Sequence, residues 1–265
     1  MQTNTYEGLH IINQKQSITT DELVIEAPLQ ININTESYTV VMRTPGNDQD
    51  LVLGLLYAED IYKKSLSVPY EIIEEKFNIP SIVNVTIAPS VLGKGYLNKR
   101  TLLSVSSCGI CGKQQLEDIK VSGDTIEKKV NFSSENLLKM FAPLQKEQET
   151  FKKTGGSHAA GIFNNQFKLL ASREDIGRHN AVDKCIGSLL QKQLLKSGMY
   201  LLVSGRVSYE IVSKAFLAKI PVIVAVSACS SMAVDFAKEF GICLIGFTRE
   251  NKMTVYANPS SLEKK

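Results

Sequence analysis

Apolar and polar positions alternate along much of the chain, and the period of the alternation changes from place to place. Between Glu22 and Val41 the pattern is short and two-fold: Leu23 and Ile25, then Leu29, Ile31 and Ile33, then Tyr38 and Val40. That period predicts strands, with the turn at Asn34–Glu36. Thr44-Pro45-Gly46-Asn47 is a turn from which a helix can start. Asp48 and Asp50 fall in its first turn, where the positive end of the helix dipole favours carboxylates, and Leu51, Leu55 and Leu56 give its apolar stripe. Ile82–Ile87 reads as another strand, and Ser134 as the cap of a helix bearing Leu137, Leu138, Phe141 and Leu144.

The second half is more regular. Val182, Cys185, Ile186, Leu189 and Leu190 mark a helix closed by Gly198. Strands follow at Tyr200–Val203, Val222–Val226 and Ile242–Ile245, with Met253–Tyr256 able to pair with the last. Between them lie helices from Ser208 to Ala218 and from Ser230 or Ser231 to Gly241. Strand-helix alternation of this kind predicts an α/β fold with a mixed, mostly parallel sheet and helices on both faces. The expected division is a smaller α/β portion over 1–100 and a three-layer α/β core over 101–265.

Composition narrows the function classes. The chain has 265 residues, 43% hydrophobic and 22% charged, enough for a core without disulfide staples. The formal net charge is only +3, which does not suggest a protein that coats nucleic acid. No apolar run is long enough for a membrane span, and Met1–Gln16 is polar with no secretory h-region, so the expected compartment is the cytoplasm.

Of the cysteines, only Cys108 and Cys111 form a close pair, inside the Ser- and Gly-rich stretch Ser104–Gly112, which reads as a loop. A thiolate, not a thiol, is the nucleophile, and backbone N–H groups and Lys113 could lower the thiol pKa there. Three uses compete. A redox pair fits poorly, because Gly109 and Gly112 disfavour the helix such a pair opens. A zinc-binding structural or regulatory role would need His158 or His179 as a further ligand. A sulfur carrier needs one exposed cysteine to hold a persulfide and a second to assist.

Other segments suit ligands. Gly155-Gly156-Ser157-His158 suggests close backbone approach at a strand start. A zinc deaminase would need Glu where Ala160 stands and a later Pro-Cys-x-x-Cys, so that activity is rejected. The dense polar run from Arg173 through Arg178, His179 and Asn180 suits an anion or a nucleotide, against the plainer reading of a solvated turn. The turns Ser204-Gly205-Arg206 and Ser227–Ser231 fall at the carboxyl edge of the expected sheet. Phe247, Thr248, Arg249, Glu250, Asn251 and Lys252 follow the last sheet strand and offer a ring for stacking, charge for pyrophosphate and polar groups for a guanine edge, against the alternative of a plain charged hairpin.

Taken together, these stretches resemble the formate dehydrogenase accessory sulfurtransferase family, FdhD/NarQ. The likeness rests on Met42–Asp48 with Leu53, Gly54 and Glu59, on Ser107–Gly112, Gly155–Ala160 and Arg173–Lys184, then on Val203–Arg206, Ala225–Val234 and Ile245–Phe247 with Arg249. It departs in detail at Asn47, Ser157 and Cys229. The resemblance implies a sulfur carrier between a cysteine desulfurase and the molybdenum or tungsten cofactor of formate dehydrogenase, which bears two pterins each attached to a guanine nucleotide. In that role Cys108 accepts the persulfide and Cys111 assists. The cofactor is bound as a client, not kept, through a site drawn from His158, Arg178, His179, Ser204, Gly205, Arg206, Ser230 and 247–252. No resident metal, nucleic acid or membrane is expected. The resemblance also implies a core related to the cytidine deaminase fold, and a homodimer.

Overall fold

The computed structural model describes residues 2–63, 68–96, 123–127 and 130–259. Cys108, Cys111, the loop expected at Ser104–Gly112 and the boundary expected at residue 100 lie outside the described residues.

The chain begins with a hairpin that sequence reasoning missed. Strands β1 (Thr3–Ile12) and β2 (Lys15–Val24) pair antiparallel through a turn at Asn13 and Gln14, both with positive φ. Strands β3 (Ala27–Ile33) and β4 (Glu36–Arg43) follow, and their turn at Asn34 and Thr35 again has positive φ at both residues. Two such residues match the turn twist to the strand twist. Helix α1 (Asp48–Ala58) and the strands β5 (Tyr70–Lys76) and β6 (Ile79–Val85) complete a four-stranded sheet in the order β4-β3-β6-β5.

Helix α1 lies across this sheet and closes a core of Leu29, Ile31, Ile33, Val83 and Val85 with Leu51, Leu55 and Leu56. Its far side is buried too, against the core helix α5 (Arg178–Gln191). A Cβ on Gly54 would lie 1.9 Å from the Asp183 carbonyl oxygen, and one on Gly187 1.8 Å from that of Asp50. The two backbones touch where any other residue would hold them apart.

The second sheet has six strands in the order β12-β11-β10-β9-β7-β8. They are β7 (His158–Phe163), β8 (Leu169–Asp175), β9 (Tyr200–Val203), β10 (Val222–Ala225), β11 (Cys243–Arg249) and β12 (Lys252–Ala257). The sheet is mixed, as expected, but only β9–β10 and β10–β11 are parallel among the described strands, so antiparallel pairs outnumber parallel ones. The short turn from Asn164 to Lys168 and the one at Glu250–Asn251 each force an antiparallel neighbour, and β7 also runs antiparallel to β9.

Helices cover both faces, as expected. Helices α5, α6 (Tyr209–Leu217) and α7 (Ser231–Glu239) pack on Ile162, Leu201, Val203, Ile223 and Leu244. Helices α2 (Ser134–Lys139) and α3 (Phe141–Lys146) pack on Phe163, Tyr200, Leu202 and Val224. Ser133, not Ser134, caps α2, accepting from the Asn136 N–H. The single helix expected there is broken at Met140, because Pro143 has no N–H to continue the ladder. Helix α5 stops at Gln191 with Lys192 as its cap, and a 3₁₀ turn at Leu195–Ser197 precedes Gly198.

Candidate functional site

The dense polar run read as a ligand site is largely spent inside the protein. Arg173 bonds Asp50 at 2.7 Å. Glu174 accepts from the N–H groups of Thr150 and Phe151, which open α4 (Glu149–Thr154), and from the Ser157 hydroxyl. Asp175 and Lys184 are both fully buried and pair at 2.7 Å. Asp175 accepts the Thr44 N–H, and Lys184 donates to the Thr44 carbonyl. Buried charges persist only when paired and hydrogen-bonded, so this set clasps the backbone N–H and C=O of one residue of the N-terminal half, Thr44. Thr44 and Asp50 lie more than a hundred positions from their partners in sequence, which is why local reading missed these contacts.

The remaining candidates gather on one edge of the six-stranded sheet. Strand β7 begins there with His158, β8 ends there with Asp175, and β9, β10 and β11 all end there. A Cβ on Gly205 would lie 3.1 Å from His158 Nδ1 and 3.4 Å from Arg178 Cβ, so these three residues are in contact. Burial, then the neighbouring Arg178, pulls the His158 pKa down. The Ser204 hydroxyl accepts from the Ala159 N–H, which fixes the turn to β7.

His179, on the next position of α5, is buried. Its Nε2 lies 2.9 Å from the Ser208 hydroxyl and 3.0 Å from a Glu210 oxygen. Sequence reasoning did not single out Ser208 or Glu210 as chemistry, having taken them as a helix start.

The two serine-rich turns are joined. The Val207 N–H donates to the Ala228 carbonyl, and the Ser230 N–H to that of Val207. Val207 and Cys229 thus form a one-residue parallel bridge. Ser230 also caps α7, its hydroxyl accepting from the Ala233 N–H. The next strand end is tied in as well: the Phe247 N–H donates to the Ser227 carbonyl and Arg249 Nε to that of Val226.

Phe247 has φ of 50° and is 45% exposed. A bulky residue in the left-handed region is strained, and such strain concentrates at functional sites. Beside it Thr248 is buried, and its hydroxyl has no hydrogen-bond partner among the described residues. Arg206, Arg249, Glu250, Asn251 and Lys252 are all exposed. The edge therefore offers a presented ring, an unused buried hydroxyl and three cations to an anionic ligand.

The described cysteines are unsuited to nucleophilic work. Burial raises the Cys229 thiol to about 11 and those of Cys185 and Cys243 to about 12. Such groups stay protonated at neutral pH.

Comparison with known proteins matches this arrangement to one class. Residues 24–263 match the FdhD/NarQ family. The chain belongs to that family. It is 41% identical over 261 residues to the sulfur carrier protein FdhD of Mycobacterium tuberculosis, covering 92% of this chain and 93% of that one. To the protein of the same name from Sulfolobus acidocaldarius it is 40% identical, covering 92% of each. The same fold occurs in the crystal structure of a candidate formate dehydrogenase accessory protein from Desulfotalea psychrophila, with a TM-score of 0.78 at 20% identity, over 99% of this chain and 100% of the other.

Proposed function

We propose that the chain moves persulfide sulfur from a cysteine desulfurase to the molybdenum or tungsten cofactor of formate dehydrogenase, and that the cofactor's two guanine nucleotides bind along the sheet edge just described. The sulfur-carrier role rests on family membership. The site reading rests on one observation: the strained, exposed Phe247, the unused Thr248 hydroxyl and the cations Arg206, Arg249 and Lys252 share the edge where β9, β10 and β11 end. Phe247 stacks on a base, the arginines and lysine meet pyrophosphate, and Glu250 or Asn251 reads the guanine edge.

Cys108 is the acceptor in this reading. Its thiolate attacks the terminal sulfur of the desulfurase persulfide, the donor S–S bond breaks, and the donor cysteine leaves as a thiolate. Cys111 assists. The high thiol pKa values of Cys185, Cys229 and Cys243 favour this assignment, since none of those three supplies a thiolate. The six-stranded core is a relative of the cytidine deaminase fold that has lost hydrolytic chemistry, with Ala160 where the general base would stand. The protein works in the cytoplasm.

Intact mass after incubation with a desulfurase and cysteine tests the carrier step. One added sulfur atom is expected on the peptide containing Cys108, none in Cys108→Ala, and formate dehydrogenase activation is lost with it. Full activation by Cys108→Ala rules the assignment out. Guanosine diphosphate titration tests the edge separately. Arg249→Ala with Lys252→Ala removes two charge-assisted contacts worth about 1.5–3 kcal/mol each, so affinity falls at least about tenfold.

A further inference from the structure

The turn between β5 and β6 carries a side chain that neither the core nor the cargo edge uses. Phe77 is 98% exposed, more than any other large apolar side chain among the described residues. Its φ is 52° and that of Asn78 is 60°, so the turn needs two left-handed residues. Asn and Gly meet that need at little cost, and a bulky ring does not. Phe77 is therefore unfavourable twice, in backbone strain and in apolar surface left in water. Ile72 and Ile73, at 45% and 53% exposure, extend the apolar surface along β5. Glu71 and Glu75 are exposed beside them, while Glu74 is bridged by Lys76 at 3.2 Å.

The tip lies on the side of the molecule that carries the cargo edge. Arg43, the last residue of β4, donates to the Pro80 carbonyl, three positions past Phe77. The next residue, Thr44, donates its N–H to Asp175 and accepts the Ile176 N–H on its hydroxyl, where β8 ends at the edge. Asn180, in the first turn of α5, donates to the Met42 carbonyl. A protein that covers the edge to take the cargo therefore meets the tip at the same time.

We propose that Phe77, with Ile72 and Ile73, is the anchor by which the chain docks on the protein that receives the cofactor, its ring entering an apolar pocket rimmed by lysine and arginine. This rests on the carrier reading above. Two considerations select that occupant. A protein that takes up a cargo bearing two pyrophosphates presents cations around its entrance, and Glu71 and Glu75 complement such a rim. A strand-adding peptide is disfavoured, because β5 is bulged at Ile73, between the pairs Ile72–Val83 and Glu74–Ile82, and a bulge turns a sheet edge away from pairing. Recognition is left to side chains, and an aromatic with aliphatic neighbours inside a charged rim is the common form of an interface hot spot.

Biolayer interferometry of the full chain on immobilised apo-formate dehydrogenase, at low and high salt, is the test. Phe77→Asn supplies a residue that the turn accepts, so its Tm is expected to equal or exceed the parent's. Its affinity for the apo-enzyme is expected to fall at least about tenfold, while guanosine diphosphate affinity and sulfur uptake stay at parental values. Glu71→Lys with Glu75→Lys is expected to weaken binding at low salt and to reverse the salt dependence, since salt screens attraction in the parent and repulsion in the variant. Parental binding by either variant overturns the proposal and leaves the carrier reading untouched. A loss confined to binding of the cysteine desulfurase overturns it as well, because the tip then belongs to the donor. A parent without measurable affinity for the apo-enzyme also overturns it, and the carrier reading is then decided separately by the mass gain on the peptide containing Cys108.

Discussion

Phe247, His158 and the buried thiols show how environment sorts side chains of similar chemistry into different uses. Cys185 sits against the Ala160 carbonyl in the core, and Cys229 packs its sulfur on Gly246, where a Cβ would come within 2.9 Å. Both thiols are held in the protonated form by burial. Iodoacetamide at pH 7.5 should therefore leave Cys185, Cys229 and Cys243 unmodified in the folded protein and label them after denaturation, as read by peptide mass mapping. His158 is shifted the opposite way to a thiol because its charged form is the protonated one. Burial and Arg178 both disfavour the imidazolium, so its titration midpoint by NMR should fall below the ordinary 6.5. The sign of the linkage follows: the unfolded chain takes up this proton more readily than the folded one. His158 therefore costs no stability above pH 6.5 and removes some as the pH falls through that value. His158→Gln should soften the acid-side fall in Tm.

At the scale of elements, the contact between α1 and α5 is a tight constraint. Gly54→Ala would put a methyl group 1.9 Å from a backbone oxygen that no rotamer change can move. Overpacking typically costs about 1–3 kcal/mol, and a rigid backbone neighbour puts this site at the upper end, a fall in Tm of several degrees in thermal denaturation. Gly54 carries part of the family resemblance, yet its physical reason is invisible in the sequence, because the opposing Asp183 is remote. What was legible follows the same logic. Strands β9 to β11 and helices α5 to α7 announce themselves because each buries apolar residues at a regular period. The β1–β2 hairpin did not, since its side chains face water and no burial pattern marks it. The antiparallel placement of β7 and β8 was likewise hidden, as strand direction is set by connection length and not by the strands' own residues. At the site, the shared edge of the turns at 204–206 and 227–231 and the segment 247–252 follows from strand order, but the partners of His179 and of the Arg173–Asp175 run do not, because those contacts are tertiary.

At the scale of the whole molecule, the buried Asp175–Lys184 pair fastens the N-terminal sheet to the core by holding both the N–H and the C=O of Thr44. Lys184→Met leaves Asp175 buried and unpaired, which typically costs about 3–5 kcal/mol. Lys184→Met combined with Asp175→Asn removes both charges and should cost clearly less than the sum of the single changes. Chemical denaturation of the three variants measures the coupling.

The bridge between Val207 and Cys229 has a kinetic and statistical meaning for a cargo with two similar arms. Because two backbone hydrogen bonds splice the turns into one rigid rim, ordering one half leaves little freedom in the other to be lost when it is filled. If the cofactor binds as proposed, release of one arm is followed by recapture before the second lets go, with an effective local concentration far above that in bulk. On that proposal, delivery requires a competitor that engages both arms together.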